Sequence, residues 1–210
     1  MKKFLFAVSL LFVGLVASPV FAQDDAAPGE IGGASKDGGI IFDSFEDETT
    51  YPGWKAVADA WAQWGDLTHS SVDVEVVTAH ATDQGHALKM NFKINGLLTK
   101  GDKPENRLAF LNQPASLPSM AGAKTIKCDI FNDSKIPVTL ILVNQDNVAW
   151  AWNAAPVVTI NPGANSVVID VSKVDKLDKI GSIIFDFYAD AKVAKGTKGS
   201  LYLDNVRYFK

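Results

Sequence analysis

The chain has a single cysteine among its 210 residues, so no internal disulfide holds it together and a packed core has to do that work. That cysteine, Cys128, shares a face with Ile126 and Ile130, the setting of a buried thiol. Positive charge is also scarce. Lys and Arg number 20 against 24 Asp and Glu, a net charge of −4. Nucleic acid and anionic membrane surfaces need a basic stripe and are poor partners for such a chain. There is no Gly-x-Ser-x-Gly elbow, no His-Glu-x-x-His and no phosphate-cradling glycine loop. The three histidines, His69, His80 and His86, lack the spacing of a zinc ligand set.

No stretch after the first twenty-odd residues is apolar enough to span a bilayer. The start is different. Met1, Lys2 and Lys3 precede an almost wholly apolar Phe4 to Val16, and Val20 and Ala22 occupy the minus-three and minus-one positions of a cleavage site. Residues 1–22 therefore read as a signal peptide, and the mature protein is expected to be periplasmic or extracellular after cleavage near Ala22. Removing Lys2 and Lys3 leaves 18 basic against 24 acidic side chains, net −6. Residues 23–39 are Asp, Ala, Gly, Ser and Pro with almost nothing to bury and read as a flexible linker. Residues 40–210 are enough for one domain with a substantial core.

The domain has the periodicity of strands. Leu88, Met90, Phe92 and Ile94 alternate with Lys89, Asn91 and Lys93, one face apolar and the other wet. Comparable runs occur at Val72–Val77, Arg107–Leu111, Lys124–Phe131, Val138–Val143, Val148–Trp152, Ser166–Val171 and Ile183–Tyr188. Turn signals separate many of them. Helical period is confined to Val57–Trp64 and a short Val174–Leu177. The expected fold is all-β, an antiparallel β-sandwich of jelly-roll type. Near the end, Leu201 and Leu203 are out of step with Val206 and Tyr208, and Asp204 and Asn205 lie between. An inserted residue, a β-bulge, produces that slip and leaves Asp204 near the rim of a sheet.

Phe45-Glu46 near the start, Trp54 soon after, and Leu-Tyr-Leu-Asp-Asn-Val-Arg over 201–207 resemble the galactose-binding-like jelly-roll superfamily, which includes many carbohydrate-binding modules of bacterial polysaccharide-degrading enzymes. The resemblance implies a first strand beside the last and a structural calcium ion between them. The matching positions are Glu46 and Asp204, with Asp43 a weaker candidate. It also implies a polysaccharide or oligosaccharide partner and no catalysis.

The residues themselves offer a sugar site. Flat aromatic faces pack against the C–H patches of sugar rings, and hydroxyls are met by polar side chains. The five Trp fall into two places: Trp54, Trp61 and Trp64 in one segment, Trp150 and Trp152 at i and i+2 of a strand. Asn144, Gln145, Asp146 and Asn153 lie close by in sequence. Tyr188 and Asp186 occupy the polar face opposite Phe185 and Phe187, and Arg107 begins a strand. The same pattern also fits core packing for the Trp pair, since large aromatics are usually mostly buried. Three functions stay open: a non-catalytic glycan-binding module, alone or in a surface or enzyme complex; a small polysaccharide-acting enzyme using Asp73, Glu75 or Asp186; and a structural or protein-interaction sandwich with no glycan ligand. Glycan retardation in a gel separates the first from the third, and product release separates the second from both.

For the leader, intact-mass analysis of the exported protein is expected to give a chain beginning at Gln23; retention of residues 1–22 would contradict export by cleavage.

Overall fold

The computed structural model describes residues 34–46, 55–56, 70–94, 98–100, 103–114, 119–190 and 192–210. Thirteen strands are described: β1 (Ile40–Asp43), β2 (Lys55–Ala56), β3 (Ser70–Val77), β4 (Ala87–Ile94), β5 (Leu98–Lys100), β6 (Lys103–Pro114), β7 (Thr125–Asn132), β8 (Val138–Asp146), β9 (Trp152–Ala154), β10 (Val158–Ile160), β11 (Gly163–Asp170), β12 (Ile180–Ala189) and β13 (Lys198–Phe209). Their pairings are antiparallel and make two sheets, as the alternation predicts. The first runs β11-β7-β13-β4-β3, with β1 also paired to β13. The second runs β10-β8-β12-β6-β2, with β5 on β6 and β9 on β8.

Alternation decides what each strand buries. In β4 the side chains of Leu88, Met90, Phe92 and Ile94 are buried while Lys89, Asn91 and Lys93 face outward. In β7 the buried set is Ile126, Cys128, Ile130 and Asn132. These meet Leu140, Leu142, Phe185 and Phe187 of the second sheet in one continuous core. Full burial of each such apolar side chain is worth ~1.5–3 kcal/mol. Cys128 is among them as a free thiol whose pKa burial pushes up, so it is an inert packing residue.

β13 is the strand the first sheet is built on. Its first half pairs with β4 (Leu201↔Met90), its second half with β1 (Tyr208↔Ile40), and β7 runs along its other side. The expected slip is present: the register against β7 shifts between Asp204 and Arg207, and Asn205 takes a left-handed φ of 53°. Asparagine tolerates that conformation better than most residues, which is why the bulge falls there. First and last strands are neighbours, as the family resemblance implies.

Three expectations need correction. Residues 34–39, expected in the linker, fold onto the sheet: Ala34 bridges to Ile40, and Asp37 receives Arg207 Nε at 2.9 Å. The Val148–Trp152 strand is instead a turn leading into β9, which starts only at Trp152. Val174–Leu177 lies in turns rather than a helix. Val57–Trp64 lies outside the described residues.

Candidate functional site

Between β8 and β9 the chain turns around one side chain. Asp146 Oδ1 accepts the N–H groups of Val148 (2.9 Å) and Ala149 (2.7 Å), and Oδ2 accepts that of Ala151 (3.2 Å). These donors, Ala149 foremost, hold the Asp146 carboxyl below the usual carboxylate range despite its burial. Three amides drawn inward around one carboxylate curl the backbone, and Trp150 adopts φ 56°. The apolar side chains between those amides point out. Val148 and Trp150 are each 62% exposed and Trp152 is 43% exposed. This curl is why Trp150 does not share a strand face with Trp152 as the i, i+2 spacing predicts.

Register places the other candidates. Residues directly opposite one another in neighbouring strands share a face. Trp152 lies opposite Gln145, which lies opposite Ser182, so these three make one row on the outer side of the second sheet. The next row is Ala154, Val143 and Ile184, of which Val143 and Ile184 are fully buried in a small cluster apart from the main core. Beyond it Asp186 lies opposite Ile141, and Tyr188 opposite Thr139. The Tyr188 hydroxyl donates to Asp186 Oδ2. Asp186 is buried and sits two rows, about 13 Å, from Trp152. Arg107 lies across from Tyr188 in the pairing of β6 with β12. Trp152, Asp186 and Tyr188 thus share one sheet face.

Asn144 does not join them. It lies opposite Ile183, a core residue, and is completely buried, its Nδ2 donating to Asp175 O at 2.9 Å. Strand parity, with Val143 outward, turns Asn144 inward. Trp54, Trp61 and Trp64 lie outside the described residues. Asp73 and Glu75 lie on the exposed face of β3, where Asn91 Nδ2 donates to Asp73 at 2.8 Å and Lys89 Nζ to Glu75 at 2.7 Å.

Glu46 and Asp204 do meet a common partner, the segment between β3 and β4. Glu46 Oε1 accepts the N–H groups of Gly85 (2.8 Å) and His86 (2.7 Å), and its Oε2 lies 3.0 Å from His86 Nδ1. Asp204 Oδ2 accepts the N–H groups of Thr82 (2.6 Å) and Asp83 (2.9 Å), and Oδ1 accepts that of Asn205 (2.6 Å). Asp43 turns to its own strand end, accepting Phe45 N–H at 2.9 Å. Calcium asks for six to eight oxygens. Here the carboxylates face N–H groups, and among the described residues no three His, Cys, Asp or Glu side chains gather around one point. As arranged, both carboxylates are engaged by N–H donors of the 82–86 segment. Sequence reasoning found the two acids but missed the 82–86 segment, whose only signal was the turn at Asp83-Gln-Gly85.

No protein-family model matches the chain, and no curated protein sequence matches it. Solved structures do match. The family 11 carbohydrate-binding module of the cellulosomal cellulase Lic26A-Cel5E of Clostridium thermocellum superposes with a TM-score of 0.54 at 14% identity, covering 82% of this chain and 94% of that one. The same family 11 module from Clostridium thermocellum in complex with a β-1,3-1,4-mixed-linked tetrasaccharide gives 0.51 at 15% identity, covering 80% and 94%. A CBM28 module, specific for non-crystalline cellulose, gives 0.53 at 19% identity, covering 80% and 92%. The likeness establishes the fold: this is an antiparallel β-sandwich similar in architecture to those modules.

Burial pushes the Asp204 carboxyl up to about 7, outweighing its amide donors. Between pH 3.8 and about 7 the folded chain therefore keeps a proton that the unfolded chain releases. Stability is expected to fall as pH rises through that window and to level off above it, and Asp204→Asn is expected to remove the slope. Melts across the window, each with and without EDTA, check both points. A Tm lowered by EDTA would contradict the amide account of the clasp.

Proposed function

We propose that this protein is an exported, non-catalytic glycan-binding protein that stacks sugar rings on Trp150 and Trp152 and meets their hydroxyls with polar groups of the same sheet face. The exposure of these two indoles on a hairpin shaped by Asp146 carries this. Large aromatics left in water cost apolar hydration, and a rigid turn that holds them there has a use in recognition. Stacking needs the ring in place before the ligand arrives, and the amide grip of Asp146 supplies that order without help from the ligand. Gln145, held by the buried Ser182 hydroxyl at 3.2 Å, adds a hydrogen-bonding group beside the face of Trp152.

Solved relatives in fold are carbohydrate-binding modules, which supports glycan binding and a role without catalysis. One of them is specific for non-crystalline cellulose, and another is seen in complex with a β-1,3-1,4-mixed-linked tetrasaccharide. Soluble β-glucans are therefore the first ligands to try. The leader over residues 1–22 places the protein outside the cytoplasm in this reading, where such polymers are met. The N–H donor set at Glu46 and Asp204 supports closure of the sandwich without calcium.

Affinity electrophoresis and calorimetry against mixed-linked β-glucan and hydroxyethyl cellulose test the proposal. Trp150→Ala and Trp152→Ala are each expected to weaken binding about tenfold, the equivalent of ~1.4 kcal/mol. Asp146→Ala is expected to weaken it as well, through loss of the turn. Retention of wild-type affinity by the double Trp variant would overturn the assignment, and so would failure to bind any glycan on a broad array. Release of reducing ends or unsaturated products would show an enzyme instead.

A further inference from the structure

The opposite sheet carries a second concavity. The segment that Asp204 and Glu46 hold does not lie idle over β13. It brings His80, at φ 60°, onto the ring of Phe131, with centroids 3.7 Å apart and planes within 9°, and edge-on to Tyr202 at 4.5 Å. Between this flap and the edge strand β11 is a cavity of about 690 Å³, lined by His80, Thr82, Asp129, Phe131, Ala164 and Ser166 among others. That volume is in the range of small-ligand sites. It belongs to the first sheet, whereas Trp152, Asp186 and Tyr188 belong to the second.

We infer that this cavity is a second binding site, and that its ligand is an uncharged sugar residue. Asp129 is the polar centre. Its Oδ1 accepts Ser166 Oγ at 2.9 Å, and its Oδ2 lies 3.0 Å from both Thr82 Oγ1 and Asn205 Nδ2. The Thr82 hydroxyl also lies 3.1 Å from Asp204 Oδ2, so its one proton serves one carboxylate at a time. Ser166, Thr82 and Asn205 take three of the about four acceptor positions of this carboxylate, which leaves one for a sugar hydroxyl beside two hydroxyl oxygens that can still accept from its neighbour on the ring. The aromatic wall supplies the flat surface for the ring's C–H face. Ala164 lies directly opposite Phe131 in the β11–β7 register, and its small side chain leaves room beside the aromatic edge.

Charge decides the class. No Lys or Arg is among the described lining residues, and Arg207 and Lys127 on this sheet both turn to Asp37. An anionic sugar would face the Asp129 carboxylate with no Lys or Arg among the described lining residues to offset it. The site goes beyond the hairpin assignment and stands independently of it, since the two lie on different sheets.

Amide NMR titrations of the full mature chain with methyl β-D-glucoside, methyl α-D-mannoside and methyl β-D-xyloside, with glucuronate as the anionic control, test the site. Saturable shifts at Thr82, Ala164 and Ser166 are expected with at least one neutral probe. They are expected to persist in the Trp150→Ala/Trp152→Ala double variant, to weaken about tenfold in Asp129→Asn, and to vanish in Ala164→Phe, whose ring would fill the mouth. If Ala164→Phe fails to fold, Asp129→Asn alone decides. Absence of these shifts with every neutral probe, their loss in the double Trp variant, or equal binding of glucuronate would overturn the inference. A chain that binds only through the hairpin would leave the first assignment standing and remove this one; a chain that binds only here would do the reverse.

Discussion

Two carboxylates reaching for backbone N–H groups, Asp204 buried and Glu46 half-buried, shape this molecule where a disulfide or a metal would serve in others. Asp204, aimed by the bulge in β13, and Glu46, just past the end of β1, take four amides of the segment 82–86 between them. Each such hydrogen bond contributes about 0.5–1.5 kcal/mol net, and more when its acceptor is charged. The four hydrogen bonds are part-buried, so each spares its amide a partial loss of solvation. The clasp fixes the flap, the flap sets His80 on Phe131, and the stacked pair forms one wall of the cavity on the first sheet. Removal of Asp204 would therefore be felt across the cavity, which it contacts through Thr82.

The same chemistry recurs on the second sheet, with the balance tipped the other way. At Asp146 the amides of the turn outweigh burial and lower the carboxyl's pKa; at Asp204 burial outweighs the amides and raises it. Asp146 thus remains ionised and grips its turn over the ordinary pH range, while the clasp at Asp204 responds to pH near neutrality. One device presents two exposed indoles to solvent, and the other holds a flap over a sheet. Both place functional groups on loops whose positions are set by the rigid sandwich beneath them.

Much of this was legible in the order of residues. The alternation of Leu88, Met90, Phe92 and Ile94 dictates β4, and the broken step at Asp204-Asn205 dictates the bulge, because side-chain parity is a hard geometric constraint. The neighbourhood of first and last strands followed from the resemblance of the chain ends to a known superfamily. What escaped is what depends on a single side chain meeting backbone. Nothing in the apolar period distinguishes Trp150 in a strand from Trp150 in a turn; the carboxylate four residues earlier does, through amides that have no identity in sequence. The two acids of the clasp were visible for the same reason that their donors were not. Asn144 could have been placed correctly, since Val143 and Asn144 cannot both face outward.

The central claim is that amides, and not a cation, satisfy Asp204 and Glu46. Hydrogen exchange of the Thr82, Asp83, Gly85 and His86 amides, measured in EDTA, tests it most directly. The account predicts strong protection of all four, lost together at Thr82 and Asp83 in Asp204→Ala. Fast exchange of these amides in the wild-type chain in EDTA, with protection appearing only when calcium is added, would contradict it.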